Sequence, residues 1–284
     1  MEDDCGAVAC CGAPSAPPAN PAAGWDGMAR WYTRWMSPGT AAVASALFGH
    51  ADLLSPDAPA RRVLETHCGD ARAAAGLLPS PAVAAYTCVD FSGGMLAAAR
   101  ANLGERAAVV SASSARLPFD DGAFDRYVAN LGLCCTPDLT ATLAEARRVL
   151  GPGGVAAMSL RIEGGEGDTS LKLLQDTLAP FGLPPGPDRE GVRIGNDLPA
   201  LRARVAAAGF AGGAVAFRTY ATLPIHDVPS FMEFAKTQPP TSKFLAGLEA
   251  SQREAAEAAL AEAAAAALDE GAIQMAVAVV IARC

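Results

Sequence analysis

Short apolar runs alternate with alanine-rich amphipathic segments along most of the chain after residue 60. The apolar runs have the length of buried strands. They predict strands at residues 62–65, 84–90, 107–111, 124–130 and 155–161. The segments between them predict helices at residues 70–78, 92–103 and 138–150. Strands and helices that alternate at this spacing are typical of a parallel sheet with helices on both faces.

The later elements follow a less regular pattern. Ser251 and Glu254 have the spacing of a capping box and predict the start of a helix that stops at Gly271. The remaining predictions are a helix at 169–181, a glycine- and proline-rich loop at 182–195, a helix at 198–208 and strands at 214–223 and 272–282. Together these elements predict the α/β class, as a doubly wound, Rossmann-like sheet of about seven strands, mostly parallel with an antiparallel C-terminal edge strand.

Aromatic side chains are concentrated just before the first strand, in residues 24–36. Trp25, Met28, Tyr32 and Trp35 are spaced so that a helix would place them on one face. Such a face either caps the sheet or forms the roof of an apolar ligand pocket.

The residues before this helix, 1–23, are rich in alanine, proline and cysteine and predict a disordered tail. Cys5, Cys10 and Cys11 in this tail are either incidental, lipidated or ligands of a soft metal. We expect residues 24–284 to form one domain.

Composition narrows the function classes. The 284 residues include 51% hydrophobic and 18% charged residues, with a net charge of −8. This surface repels phosphate backbones, so we expect no nucleic acid as the main partner. Eight cysteines without a secretory segment predict a reduced, cytoplasmic protein. The histidines are scattered and no CxxC motif occurs, so we expect no metal site; no apolar run is long enough for a membrane span.

The candidate chemistry lies at the carboxyl ends of the strands, where ligands bind in open α/β sheets. Glu65 ends the first strand and is followed by a tight turn at Gly69. Asp90 ends the second strand, and its carboxylate suits the two hydroxyls of a ribose. Two positions of the turn where we expect glycine hold His67 and Ala71.

Other residues near these strand ends suit a purine. Phe91 and Met95 are apolar enough to flank the ring, and Ser113 and Ser114 follow the third strand as hydrogen-bonding groups for its edge. Each has a structural alternative, since an aromatic residue also fills cores and serines are common in loops.

Four segments in this order, residues 63–71, 89–96, 115–125 and 145–154, resemble a class I S-adenosylmethionine-dependent methyltransferase. The Leu-Pro-Phe…Phe-Asp and Arg-Val-Leu-Gly-Pro-Gly-Gly blocks carry most of this resemblance. The most similar branch is the small-molecule group that includes the ubiquinone- and menaquinone-biosynthesis enzymes. The resemblance implies S-adenosylmethionine as cofactor, a small-molecule methyl acceptor as partner, a helical lid at 24–60, a cofactor-binding half at 61–161 and a substrate-side half at 162–284.

The resemblance also implies a set of cofactor contacts. Glu65 and Gly69, with His67 and Cys68 between them, would lie against the methionine end of the cofactor, and Asp90 would hold the ribose. The full set is Tyr32, Glu65, His67, Cys68, Gly69, Asp90, Phe91, Met95, Ser113, Ser114, Asn130 and Leu131. The chain departs from the family at His67 and Ala71, where glycine is usual, and near Ser113, where the family has an aspartate; we expect cofactor binding to survive.

Methyl transfer from a sulfonium requires mainly alignment and exclusion of water. If the acceptor must lose a proton, His226 and Tyr32 are the candidate bases. The adjacent Cys134 and Cys135 are similar to thiols of arsenite methyltransferases, although Leu131 stands where that group has a cysteine; the alternative is that both are ordinary buried cysteines.

Three functions are consistent with the sequence. The first is methyl transfer to a small, apolar or aromatic acceptor, and the second is a non-catalytic cofactor-binding relative that acts through a partner protein. The third, a nicotinamide oxidoreductase, lacks the GxGxxG spacing that a pyrophosphate requires.

Overall fold

The computed structural model describes residues 21–162, 168–186 and 189–284. Its centre is a sheet of seven strands in the order β3-β2-β1-β4-β5-β7-β6. The strands are β1 Arg61–Thr66, β2 Val83–Asp90, β3 Ala108–Ser111, β4 Phe124–Ala129, β5 Leu150–Arg161, β6 Ala214–Thr222 and β7 Gln274–Arg283. The first five are parallel to one another, and β7 is antiparallel to both β5 and β6. The predicted doubly wound sheet is confirmed, and the antiparallel C-terminal strand lies between β5 and β6, so β6 forms the outer edge.

The helices cover both faces of this sheet. In the described ranges they are α1 Pro21–Trp31, α2 Ser37–His50, α3 Arg72–Leu77, α4 Gly93–Leu103, α5 Leu139–Val149, α6 Leu171–Leu178, α7 Glu190–Gly195, α8 Leu198–Ala207, α9 Val228–Thr237, α10 Pro239–Ala246 and α11 Ala250–Glu270. A π-helical turn, Tyr32–Met36, joins α1 to α2 without a break. None of these helices combines the length and the hydrophobicity that a bilayer crossing requires.

Several helices differ from the sequence expectation. The first helix already begins at Pro21, inside the predicted tail, whose residues 1–20 lie outside the described part of the chain. Helix α7 forms within the predicted loop 182–195, and α9 and α10 occupy a stretch for which no element was predicted. The predicted capping box does not form, because α11 begins at Ala250 and Ser251 already lies within the helix.

Two apolar clusters fill the space on either side of the sheet. One lies under α2, α4, α9 and α11, where α11 contributes Ala256, Leu260 and Ala264. The other lies under α5 and α8 and includes Tyr127, which is fully buried. Burial on both faces explains why the parallel strands read as continuous apolar runs. The carboxyl ends of β1, β2 and β4 remain at one edge, where the candidate residues lie.

The aromatic segment does not form a single face. The π-helical turn holds one more residue per turn than an α-helix, so it shifts the faces of the residues that follow. Trp35 is buried and packs edge-on against Phe234 of α9, and Trp31 donates its indole N–H to the Phe234 carbonyl at 2.9 Å. Tyr32 is half-buried and turns toward the strand ends instead. Trp31 and Trp35 therefore belong to the core. Of the four residues predicted to form the roof of a pocket, Tyr32 lines the cavity described below.

Candidate functional site

The loop after β1 keeps the backbone of a glycine-rich turn although two glycines are replaced. His67, Gly69 and Ala71 have φ angles of +54°, +55° and +52°. This left-handed region is unfavourable for side chains other than glycine and costs on the order of 1 kcal/mol or more per residue. The Cys68 N–H donates to the Val89 carbonyl at 3.1 Å, which fixes the loop to β2. The surrounding structure thus imposes the glycine conformation on His67 and Ala71.

Asp90 connects this loop to the end of β2. Its carboxylate accepts hydrogen bonds from the Gly69 N–H at 3.1 Å and the Ser92 N–H at 3.0 Å. The two hydrogen bonds fix the orientation of the carboxylate, and the residue is 9% exposed to solvent. A carboxylate oxygen has more than one lone-pair direction, so both oxygens can still accept hydroxyl groups.

Helix α1 is anchored beside Asp90. Asp26 accepts hydrogen bonds from the Ser92 hydroxyl at 2.6 Å and the Gly94 N–H at 2.9 Å. Both donors lie at the amino end of α4, and together they hold the pKa of Asp26 below its usual range. The acid also interacts favourably with the positive end of the helix dipole.

Glu65 is a buried carboxyl group that faces the cavity. The Tyr86 hydroxyl donates to its Oε2 at 2.9 Å. Burial raises the pKa of Glu65 from 4.5 to about 7, and the hydrogen bond from Tyr86 opposes this only in part. Within the described part of the chain, Glu65 has no basic side chain at ion-pair distance. A cation that entered here would favour its ionised form.

A small cavity of about 20 Å³ lies between these strand ends and α2. Tyr32 closes it from above, since a Cβ placed on Gly69 would lie 3.5 Å from the Tyr32 ring and 4.0 Å from the Met95 sulfur. Its lining residues are Tyr32, Ser37, Thr40, Ala41, Glu65, His67, Cys68, Asp70, Ala71, Arg72, Ala73 and Asn130.

His67 connects the β1 loop to the segments that follow β3 and β4. Its Nε2 lies 3.0 Å from the Ser114 hydroxyl, and a Cβ on Gly132 would lie 2.3 Å from its Nδ1. Only glycine at position 132 therefore leaves room for the imidazole. Burial lowers the pKa of His67, which favours the neutral ring. In the described residues its buried Nδ1 has no hydrogen-bond partner.

The turn after β4 is held by Ser159 of β5. The Ser159 hydroxyl donates to the Asn130 side-chain oxygen at 3.0 Å and accepts from the Leu131 N–H at 2.8 Å. The Asn130 amide also donates to the Thr40 carbonyl of α2 at 2.9 Å. Leu131 has a φ of +53°, so this turn is strained as well.

The methyltransferase domain family matches residues 64–158, which contain Glu65, Asp90, Asn130 and the loop between β1 and α3. Over residues 64–158 the chain is thus similar to a methyltransferase domain. The resemblance seen in the sequence is therefore confirmed, and with it the expectation of S-adenosylmethionine as the cofactor of this domain type.

Curated relatives match a part of this chain. A demethylmenaquinone methyltransferase of Mycolicibacterium gilvum is 42% identical over 98 residues, which cover 34% of this chain and 40% of that protein. A ubiquinone/menaquinone biosynthesis C-methyltransferase of Brucella anthropi is 38% identical over 73 residues, 24% of this chain and 28% of the relative. The chain thus matches less than half of the length of either relative.

Solved structures share the fold at low identity. The YcgJ protein of Bacillus subtilis gives a TM-score of 0.52 at 16% identity, covering 84% of this chain and 98% of that one. The [4+2]-cyclase SpnF gives 0.51 at 19% identity, covering 86% and 80%. Since one of these is a cyclase, the fold by itself does not determine the reaction.

The fold brings most, but not all, of the predicted site residues together. Gly69, Asp90, Met95, Ser114 and Leu131 adjoin the residues that line the cavity through the contacts above. Phe91 is half-buried, Ser113 is exposed and His226 is exposed before α9, and none of the three lines the cavity. The Ser113 hydroxyl accepts from the Ala115 N–H at 3.3 Å, as in an ordinary turn.

Four polar lining residues were missed by the sequence prediction: Ser37, Thr40, Asp70 and Arg72. Asp70 accepts from the Ser37 hydroxyl at 2.8 Å and lies 3.8 Å from the Arg72 guanidinium. Asp70 directly follows Gly69, a position that marks it as a site residue. Ser37 and Thr40 come from α2, and no local pattern in the sequence places that helix over the loop.

Proposed function

We propose that the protein transfers a methyl group from S-adenosylmethionine to a small, apolar or aromatic acceptor. The observation that carries the proposal is the link between Asp90 and the left-handed loop through the Gly69 N–H, within the stretch that matches the methyltransferase family. In this proposal the Asp90 carboxylate binds the ribose, and the adjoining cavity takes the methionine end of the cofactor.

The charges at the site support this cofactor. S-adenosylmethionine carries an ammonium, a sulfonium and a carboxylate group and has no phosphate. The cavity offers the Glu65 carboxyl group for a cation and the Arg72 guanidinium, beside Asp70, for a carboxylate, and its loop lacks the glycine spacing that cradles a pyrophosphate. An ammonium group beside Glu65 would lower the raised pKa of that carboxyl. The attraction between the two charges would then contribute to the free energy of cofactor binding.

The site supports catalysis by positioning. The donor is already activated by its positive charge, so the protein has to align acceptor and methyl group and exclude water. Tyr32 closes the cavity above Gly69. Burial raises the pKa of the Tyr32 hydroxyl well above its ordinary value, so Tyr32 acts as a hydrogen-bond donor and not as a base at neutral pH. A general base from this chain is not needed if the acceptor ionises by itself.

The apolar acceptor rests on two observations. Trp25 packs edge-to-face on Tyr32 with ring centroids 6.0 Å apart, which adds aromatic surface behind the cavity. The curated relatives are named as methyltransferases of demethylmenaquinone and of ubiquinone and menaquinone biosynthesis.

Calorimetric titration with S-adenosylmethionine, followed by a transfer assay with labelled methyl donor and a series of reduced benzoquinones and naphthoquinones, tests the proposal. We expect binding to wild type and a loss of at least tenfold in affinity for Asp90→Ala, because a charged hydrogen-bond acceptor contributes about 1.5–3 kcal/mol. Asp57→Ala, in an exposed loop, is the matched control. Absence of heat in wild type at high micromolar protein would refute cofactor binding.

A non-catalytic relative that binds the cofactor and acts through a partner protein is the second candidate. It is favoured by His67, whose imidazole fills space that a glycine would leave open, and by a cavity volume of about 20 Å³, which is far below the usual range for ligand sites. Methyl transfer to any acceptor that Asp90→Ala abolishes would exclude it.

A further inference from the structure

A second cleft, of about 340 Å³, lies at the outer edge of the sheet. The last residue of α2, His50, forms one side of it. The glycine pair 212–213, the start of β6 and the end of β7 form the remainder. This volume is within the usual range for small-molecule sites, whereas the cavity beside Glu65 measures about 20 Å³. The cleft is therefore large enough to hold a ligand of its own.

The register of the sheet separates this cleft from the cofactor residues. Arg283 of β7 lines the cleft and pairs with Val155 of β5. Val155 in turn pairs with Arg126, the third residue of β4. The cleft is thus level with the amino ends of the parallel strands, whereas Asp90 and Asn130 lie at their carboxyl ends. A ligand bound in the cleft would not contact the proposed cofactor.

The two strands give the cleft an apolar wall. Val215 of β6 and Ile281 of β7 are directly opposite each other, so their side chains are on the same face of the sheet. Val215 is 66% exposed to solvent although it is apolar. The His50 ring packs against Phe217, two residues further along this face, with ring centroids 5.4 Å apart. Covering this wall with an apolar group would remove it from water, which is favourable.

The polar groups of the cleft are basic. Arg283 and His50 are both exposed, and within the described residues neither side chain has a hydrogen bond or an ion pair. No lining residue is acidic, although the chain as a whole has a net charge of −8. Gly212 holds the backbone of Arg283 in place: its N–H donates to the Arg283 carbonyl at 3.1 Å, and a Cβ on Gly212 would lie 2.9 Å from the Arg283 Cβ. The cleft thus combines a cationic rim with an apolar wall.

We propose that this cleft binds a small organic carboxylate, with the charged group on Arg283 and His50 and the apolar body on Val215 and Ile281. A guanidinium binds a carboxylate through two parallel N–H groups, and the imidazole can donate a further hydrogen bond. The rim has one permanent cation, which suits the single charge of a carboxylate better than the charge of about −2 on a phosphate ester. At about 30 Å³ per water molecule, the cleft has room for on the order of eleven non-hydrogen atoms.

The probe that tests the site is 2-naphthoate, titrated into the full chain by calorimetry. We expect one binding site per chain. Arg283→Gln should weaken binding about tenfold or more because it removes the charge-assisted hydrogen bonds. Val215→Glu should weaken it at least as much because it places a like charge on the wall. Arg253→Gln, an exposed arginine of α11, is the matched control and should leave the affinity unchanged.

Two further ligands separate the contributions of charge and apolar body. The neutral 2-naphthamide has the same ring system and should bind at least about tenfold more weakly than 2-naphthoate. Inorganic phosphate at equal concentration should not displace 2-naphthoate. Equal affinity for the acid and the amide would overturn the role of the cationic rim, and displacement by phosphate would overturn the choice of a carboxylate with an apolar body.

The remaining outcomes concern the position of the site. Absence of binding at low millimolar 2-naphthoate would refute the proposal, as would affinities that neither Arg283→Gln nor Val215→Glu changes. Both side chains are exposed, and circular dichroism checks that both variants are folded. Asp90→Ala should leave binding of 2-naphthoate unchanged, whereas a loss would place the probe in the cofactor site and overturn the proposal. Since S-adenosylmethionine takes no part in these titrations, their outcome is independent of the proposed methyl transfer.

Discussion

Replacement of Glu65 by glutamine removes the buried carboxyl group with the raised pKa and keeps the size and shape of the side chain. Burial raises the pKa of Glu65 from 4.5 to about 7. At about 1.36 kcal/mol per pKa unit, the ionised carboxylate destabilises the folded state by roughly 3 kcal/mol. Glutamine carries no charge, and its carbonyl can still accept the hydrogen bond from Tyr86 that now measures 2.9 Å.

The sign of the pH effect follows from proton uptake. Below pH 4.5 both the folded and the unfolded state hold the Glu65 proton, so no penalty exists. Between pH 4.5 and about 7 the unfolded state has lost this proton while the folded state keeps it, so stability falls as pH rises. Above that range both are ionised and the full penalty of roughly 3 kcal/mol remains. Urea unfolding of wild type and Glu65→Gln from pH 5 to 8 should therefore show a difference that grows in favour of the variant.

The same group should control cofactor affinity. If the ammonium of S-adenosylmethionine binds the ionised form, the apparent affinity of wild type should rise about tenfold between pH 6 and pH 8, in proportion to the ionised fraction of a group with a pKa of about 7. Glu65→Gln should bind more weakly and lose this dependence. The matched control is Glu105→Gln on the surface, which should show the same pH dependence of stability and of cofactor affinity as wild type. Parallel stability profiles for wild type and Glu65→Gln would refute the reasoning.

Three further predictions concern strain and anchoring. Ala71→Gly should stabilise the protein by up to about 1 kcal/mol in urea unfolding because Ala71 has a φ of +52°, whereas Ala75→Gly inside α3 should destabilise it by about 1 kcal/mol. His67→Gly should leave or tighten cofactor affinity in calorimetry, and a large loss would show that the imidazole has a contact of its own. Trp31→Phe should cost about 1 kcal/mol of thermal stability through the lost hydrogen bond to the Phe234 carbonyl, while Trp25→Phe, whose indole has no such bond in the described structure, should change it less.

The sheet could be predicted from the sequence because its parallel strands are buried on both faces and therefore stand out as apolar runs. Asp90 was found for a related reason, since the end of a strand is visible where an apolar run stops. Helices α9 and α10 were missed because each is short and begins beside proline, at Pro229 and Pro239, where the sequence suggests a loop.

Other features depend on tertiary structure alone. The π-helical turn at Tyr32 has no distinctive composition, and it decides which aromatic residue faces the cavity. Ser113 and Ser114 are equivalent in the sequence, but the fold buries Ser114 against His67 and leaves Ser113 exposed. Ser37 and Thr40 reach the site only because α2 crosses the strand ends.

The anchoring of α1 has a kinetic consequence. Tyr32 lies directly above Gly69, between the cofactor loop and the outside, and the segment that carries it is tied to α4 through Asp26 and to α9 through Trp31. If the proposed cofactor enters and leaves past Tyr32, these ties have to open and close once per catalytic cycle. The opening rate of this segment would then be an upper limit on turnover, and a variant with weaker anchoring, such as Asp26→Ala, should release the cofactor faster.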